Sequence, residues 1–314
     1  MLCSTLVWAE HYFLRPSYEV YIPRVVALPP VSHFSYLCCD SYKRIASYMN
    51  HYIDQMGFEI TLAEIPRRIV SLVPSQTEFL FDLGLDESLV GITRFCVHPE
   101  LKARAKTKVG GTKNPDIELI RELKPDLIIG NKEENRQEDI ELLKRDFPVW
   151  LSDVNTLLDA YHMMRELGRI VGNPTSAEWI ADRIERRFTE FSYGMLPPVK
   201  PVKVAYLIWR KPWMVAGGGT FIDSILTTAG FTNAFANTPR YPECKAEDFQ
   251  LAAPDVLLLS TEPYPFSEKH WAEVQTLAPR ANIVLVDGEL FSWYGSRLLR
   301  TPAYLTDLHT SLRK

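Results

Sequence analysis

Glu118-Leu119-Ile120-Arg121-Glu122-Leu123-Lys124-Pro125-Asp126-Leu127-Ile128-Ile129 has a counterpart in Glu247-Asp248-Phe249-Gln250-Leu251-Ala252-Ala253-Pro254-Asp255-Val256-Leu257-Leu258. In both stretches a Glu stands seven residues before a Pro-Asp, and the Pro-Asp opens an apolar run. Proline cannot continue a helix, and a short apolar run bounded by turn residues reads as a buried strand. Each copy therefore predicts a helix, a break and a strand.

The surrounding sequence extends the pattern in both directions. Ile69-Val70-Ser71-Leu72-Val73 suits a buried strand, and Pro74 stops it. Ser75 with Glu78 three residues on has capping-box spacing, Phe79, Leu80 and Leu83 mark an apolar helix face, and Gly84 ends the helix. Val90 to Thr93 is a second strand, Pro115 to Leu123 a helix, Pro125 to Ile129 a third strand and Val149 to Leu151 a fourth. The second half repeats the order. Val202 to Ile208 is a strand, Gly217-Gly218-Gly219 a turn, Phe221 to Ala229 a helix, and Ile283 to Asp287 closes the lobe. Strands alternating with helices over short connections imply parallel sheets with crossover helices.

Between the halves, Leu157, Leu158, Tyr161, Met164, Leu167 and Val171 fall at helical spacing. Asn173-Pro174 then restarts a helix, with Asn as cap and Pro in its favoured first position. It runs to about Tyr193, a strut of roughly 30 Å at ~1.5 Å per residue. The expected fold is α/β: two Rossmann-like lobes with mainly parallel sheets joined by a single long backbone helix. The ligand cleft lies between the lobes, at the strand C-termini. The expected divisions are 1–48, an N-terminal appendage or mis-called start; 49–155, the first lobe; 156–196, the helical linker; and 197–314, the second lobe.

Bulk properties narrow the function. The chain is 46% hydrophobic and 24% charged with a formal net charge of −4, so it lacks the basic surface that nucleic acid requires. No stretch approaches the ~18 uninterrupted apolar residues of a membrane span. Three of the five cysteines fall in the first forty residues, which is no disulfide framework. Those residues also lack the basic start and small-residue cleavage site of a secretory signal. No nucleophile elbow, metalloprotease pair or P-loop is present, so no catalytic residue is expected.

With the duplication in view, the chain resembles the helical-backbone periplasmic binding proteins of ABC importers for metal chelates. The resemblance is carried by Arg68-Ile69-Val70-Ser71-Leu72-Val73-Pro74-Ser75 with Thr77-Glu78, and by the paired Pro-Asp strands. Trp213-Met214-Val215-Ala216-Gly217 before the Phe221 helix, and the linker helix, complete it. It covers about residues 52 to 314 and is nearest to the cobalamin-binding branch. It implies cobalamin or a related corrinoid as transported ligand, with an iron-siderophore or haem as alternatives, and no intrinsic cofactor. It also implies a periplasmic monomer that partners ABC transporter membrane subunits. A cytoplasmic corrinoid-handling protein or enzyme on the same fold is the competing reading, supported by the missing signal peptide.

The resemblance assigns transporter docking to Glu118 and Glu247, which could accept charge-assisted bonds from arginine. The competing reading makes both helix-start acids favoured by the dipole. The expected cleft loops supply Phe95, Cys96 and His98 from the first lobe, and Trp213, Tyr241, Trp293, Tyr294 and Arg297 from the second. Aromatic faces suit a flat macrocycle, and Phe95 and Tyr241 match aromatic ligand contacts of the cobalamin branch. Core packing is the alternative for each aromatic, most evenly balanced for Trp209. Thr112 and Asn131 replace tryptophans of that branch, with Lys113 and Lys132 beside them, which leaves room for an anionic chelate. Cys96 and His98 could ligate a metal with Cys244. A buried thiol and a loop imidazole is the favoured alternative, since metal sites need three or four ligands.

Overall fold

The computed structural model describes residues 50–194 and 201–312. The expected appendage at 1–48 and most of the proline-rich end of the linker lie outside the described residues.

A hairpin of β1 (Asn50–Ile53) and β2 (Glu59–Leu62) precedes the first sheet. That sheet contains β3 (Ile69–Ser71), β4 (Leu89–Ile92), β5 (Thr107–Lys108), β6 (Leu127–Asn131) and β7 (Val149–Ser152). Its order is β5-β4-β3-β6-β7 and every pairing is parallel. The intervening helices are α1 (Pro74–Asp82), α2 (Glu100–Arg104), α3 (Ile117–Leu123) and α4 (Gln137–Leu143). Next come α5 (Leu157–Ile170) and the 21-residue α6 (Pro174–Gly194).

The second sheet contains β8 (Lys203–Trp209), β9 (Trp213–Val215), β10 (Thr232–Asn233), β11 (Glu243–Cys244), β12 (Val256–Ser260) and β13 (Asn282–Val286). β12 lies parallel between β8 and β13, β10 adds parallel to β8, and β9 and β11 are antiparallel. Its helices are α7 (Phe221–Thr228), α8 (Ala246–Ala252), α9 (Trp271–Gln275), α10 (Glu289–Ser292) and α11 (Thr301–Leu312). No described helix is long and apolar enough to cross a membrane.

The repeated Pro-Asp has a common local purpose. Both α3 and α8 end on a left-handed residue, Lys124 at φ 46° and Ala253 at φ 43°. The next residue but one is the aspartate. Asp126 accepts from the backbone N–H groups of Arg67 and Arg68 at 2.8 and 2.9 Å, and Asp255 from that of Lys203 at 2.9 Å. Each aspartate thus ties its own strand to the entry of the neighbouring central strand, giving those end donors a protein acceptor in place of water.

Side chains alternate along these strands, so each sheet buries two faces. Ile69, Leu127 and Ile129 from the first sheet share one core with Val204, Tyr206, Val256 and Leu258 from the second. Helices α5 and α6 complete that layer, α6 through Ala177, Ile180, Ala181, Ile184, Phe188 and Phe191 at helical spacing. The opposite faces form separate cores, with Val70 and Ile128 in one and Ala205, Leu207, Leu257 and Leu259 in the other. The long helix is therefore a packed member of a layer shared by both lobes.

One expectation about α1 is corrected. Ser75 and Glu78 form no capping box, because Pro74 starts the helix one residue earlier and Val73 takes the cap position. Glu78 is used elsewhere, in a contact with the second lobe. The side-chain capping box of this region lies at Thr156 and Asp159, at the head of α5.

Where α5 meets α6, a Cβ added at Gly168 would collide with the Ala177 side chain and crowd the Asn173 carbonyl. Gly168→Val should cost about 1–3 kcal/mol through overpacking, read as a lowered urea midpoint with an unchanged slope.

Candidate functional site

The C-terminal edges of both sheets face a set of side chains that cross between the lobes. Arg297, with only 6% of its side chain exposed, donates to both carboxylate oxygens of Glu78 in α1 at 2.9 and 2.7 Å. Its remaining nitrogen reaches Glu289 at 2.7 Å, and Glu289 lies 3.1 Å from His98 Nε2 of the first lobe. The guanidinium also sits 4.8 Å from the Trp293 ring centroid, and His98 meets the same indole edge-on at 5.6 Å. Ser296 bonds Asp82, and an added Cβ at Gly295 would strike the Ser75 carbonyl. This turn of the second lobe is thus fitted against α1 of the first.

A second crossing lies beyond β6. Tyr294 is buried and donates its hydroxyl to Glu134 at 2.7 Å. Arg240 pairs with Glu133 and donates to Asn155 Oδ1 at 2.8 Å. The Tyr241 hydroxyl lies 3.5 Å from Glu133. Arg240 holds a left-handed backbone at φ 63°, a conformation that a residue bearing a Cβ seldom adopts and that needs outside support. The support comes from Gly217 and Gly218, which exchange backbone bonds with Thr238 and Arg240. Added Cβ atoms there would strike the Thr238 and Ala236 carbonyls, so the glycine run permits the close approach of chain that aims Arg240 across the lobes.

Other expected residues are placed as follows. Phe95 is half-exposed at the end of the β4 loop, with Arg94 over its ring at 5.1 Å. Trp213 is stacked on Phe266 at 6.4 Å and packs against the outer core of the second lobe. Trp209 is 39% exposed and edge-on to Tyr264, so it is not a core tryptophan. Cys96 corrects an expectation: it is 1% exposed and turned into the core, with its sulfur 3.1 and 3.2 Å from the hydroxyls of Thr77 and Thr93. Two threonine hydroxyls supply its partners, and burial pushes the thiol up from its ordinary value. Cys244 is also buried, which raises its thiol to about 11. No group of three or more metal-ligating side chains is assembled among the described residues.

Acidic residues were missed by sequence reading. Glu133 and Glu262 each fall two residues past the end of a central strand, β6 and β12. The offset between them equals that between Glu118 and Glu247, so the duplication itself carried the signal. Glu262 accepts from the Ser292 hydroxyl at 2.6 Å and the Trp293 indole N–H at 2.9 Å. Burial raises its carboxyl, those two donors oppose the rise, and the charge of Glu289 adds to it. For Glu134, burial and the charge of Glu262 outweigh the Tyr294 bond and lift the carboxyl to about 7.

Glu118 and Glu247 occupy the same place, the second residue of α3 and of α8, and both are exposed. Glu118 pairs locally with Arg121 at 2.6 Å.

The family model for periplasmic binding proteins matches residues 69–277. The chain belongs to the periplasmic binding protein family. This family is made of solute-binding proteins, and its members are periplasmic. Among relatives, the vitamin B12-binding protein of Pectobacterium atrosepticum is 25% identical over 243 residues, 75% of this chain and 85% of that protein. That of Vibrio parahaemolyticus is 26% identical over 212 residues, 67% and 76% of the two chains. Among solved structures, the periplasmic vitamin B12 binding protein of Vibrio cholerae superposes with a TM-score of 0.67 at 21% identity, covering 80% of this chain and 99% of that one. The apo periplasmic heme-binding protein of Roseiflexus sp. RS-1 gives 0.64 at 24% identity, covering 78% and 97%. These structures share the fold with this member of the family.

Two outcomes follow from the crossing contacts. Arg297→Ala strands two carboxylates in a nearly dry site and should cost about 3–5 kcal/mol in urea unfolding. Glu78→Gln and Glu289→Gln with Arg297→Met, which removes all three charges together, should recover most of that loss. A carboxyl raised from 4.5 to about 7 holds its proton more firmly in the folded state than in the unfolded one. Its contribution to stability therefore declines as pH rises from 4.5 to 7. Glu134→Gln should match the parent protein below that window and exceed it above, in denaturation curves taken from pH 4 to 8.

Proposed function

We propose that this protein is the substrate-binding component of an ABC importer, capturing a metal chelate of which cobalamin or a related corrinoid is the leading candidate. The observation that carries the reading is the set of aromatic residues at the lobe crossing: His98, Trp293, Tyr294 and Tyr241 from both sides, with Phe95 half-exposed at the end of the β4 loop. Rigid aromatic faces offer contact area to a flat macrocycle at little entropic cost. Relatives named for vitamin B12 binding match this chain at 25% and 24% identity over 243 and 253 residues, which supports the corrinoid as the leading candidate.

In this reading residues 49–155 and 197–314 act as the two lobes and 156–196 as the linker. The protein carries no catalytic residue and no cofactor of its own, and it works as a periplasmic monomer. Glu118 and Glu247, exposed at matching helix starts, are the two carboxylates offered to the membrane subunits. Ligand contacts fall to the accessible rings of Phe95, His98 and Tyr241, with the buried Trp293 and Tyr294 packed behind them. Arg297 acts behind them, holding Trp293 and α1 in place. Trp213, stacked on Phe266, is the remaining contact from the second lobe. The packed α5–α6 layer favours a small tilt of the lobes over a wide hinge, since both sheets share one continuous core.

The test is a titration of the purified protein with cyanocobalamin, haemin and a ferric siderophore, following tryptophan quenching. Saturable quenching by cobalamin, weakened about tenfold or more by Tyr241→Ala or Phe95→Ala, is the expected result. Preference for haemin or the siderophore would keep the transport role and change the cargo. No binding of any chelate would refute the receptor reading.

A further inference from the structure

The aromatic walls do not account for the charge at the ends of the central strands. Each lobe contributes an acid at the same offset from its Pro-Asp, Glu133 and Glu262, and Glu134 stands beside the first. Glu133 has a bonded cation in Arg240. Glu134 and Glu262 are bonded by neutral donors: the Tyr294 hydroxyl for one, the Ser292 hydroxyl and Trp293 indole for the other. The nearby cations are engaged elsewhere. Arg297 is held between Glu78 and Glu289, and the Lys113 ammonium, whose charge reaches Glu134, donates to the Glu133 carbonyl. The two carboxylates come from opposite lobes, retain partial exposure, and the charge of Glu262 acts on Glu134.

A carboxylate has about four lone-pair positions across its two oxygens. One or two neutral donors leave acceptor capacity unused on each of these groups. A ligand amide N–H placed there makes a charge-assisted bond, whereas a ligand carboxylate brings a like charge into a poorly hydrated site. Here the acids do not define the site; the lobe crossing does, and the acids set the polarity of what can enter it. We infer that Glu134 and Glu262 select a chelate whose rim donates hydrogen bonds and bears no net negative charge, such as one fringed with primary carboxamides, over chelates fringed with carboxylates or catecholates. This rests on the receptor reading above and narrows its ligand class. It also runs against the room for an anionic chelate that Lys113 and Lys132 suggest in the sequence: Lys132 pairs with Asp153 at 2.6 Å, and Lys113, which keeps its charge on the neutral Glu133 carbonyl, is one cation beside the acids Glu134 and Glu262.

The experiment titrates the purified full chain at pH 8 with cyanocobalamin, with its monocarboxylic acid derivatives (one carboxamide hydrolysed in each) and with haemin. Glu134→Gln, Glu262→Gln and the double variant are run beside the parent protein, with far-UV circular dichroism as a fold check. The parent should bind the full amide roughly ten- to hundredfold more tightly than at least one monocarboxylate, from like-charge repulsion. The double variant should shrink that ratio to about threefold or less, and each single variant should remove part of it. Equal affinity for amide and carboxylate forms, a ratio untouched by the glutamines, or a parent that prefers haemin would overturn the inference while leaving a chelate receptor. Failure of every chelate to bind would overturn the receptor reading and this inference with it.

Discussion

Everything else in the structure depends on one apolar layer that both lobes share. Ile69, Leu127 and Ile129 of the first sheet and Val204, Tyr206, Val256 and Leu258 of the second are buried in the same core as the inner faces of α5 and α6. Side chains alternate along a strand, so committing one set of positions to that layer sends Val70 and Ile128, or Leu257 and Leu259, to the outer cores. With both faces covered the strands are satisfied only by near-continuous apolar runs, which is why the Pro-Asp strands read as they do. The layer also holds the lobes to a common helix, so movement between them is limited to what packed helices allow.

Parallel strands end on one edge, and that edge collects the polar groups the cores exclude. The result is a set of contacts of two kinds. Arg297 with Glu78 and Glu289 is nearly dry, so its value lies in orientation: the pairing fixes α1 against the turn that carries Trp293 and Tyr294. Replacing such a pair with apolar groups can cost little, which makes specificity of arrangement a better account of it than stability. Glu134 and Glu262 are the second kind, acids held by neutral donors and raised by burial. They are poorly placed to stabilise the fold, and groups of that sort are where functional sites are found.

Arg240 links these two levels. Its left-handed backbone is tolerated because the glycine turn at 217–218 lets the following chain press against it, and the reward is a cation aimed at Glu133 across the lobes. The glycines read in the sequence as a turn. Their packing shows that closeness of backbone matters there as much as freedom of φ.

The sequence by itself determined the two α/β halves, the strut between them, the matched helix starts at Glu118 and Glu247, and the aromatic character of the loops. These follow from periodicity, turn residues and repetition, all of which act over a few neighbouring positions. Even Glu133 and Glu262 were legible through the repeat offset. Only the tertiary structure decided that Cys96 faces the core while its neighbour Phe95 stays half-exposed, since one residue of chain direction separates a buried thiol from an accessible ring. It likewise turned Glu78 from a helix cap into the partner of Arg297, more than two hundred residues away. Contacts at that separation depend on how two sheets settle on a shared core, and no local pattern in the chain records that outcome.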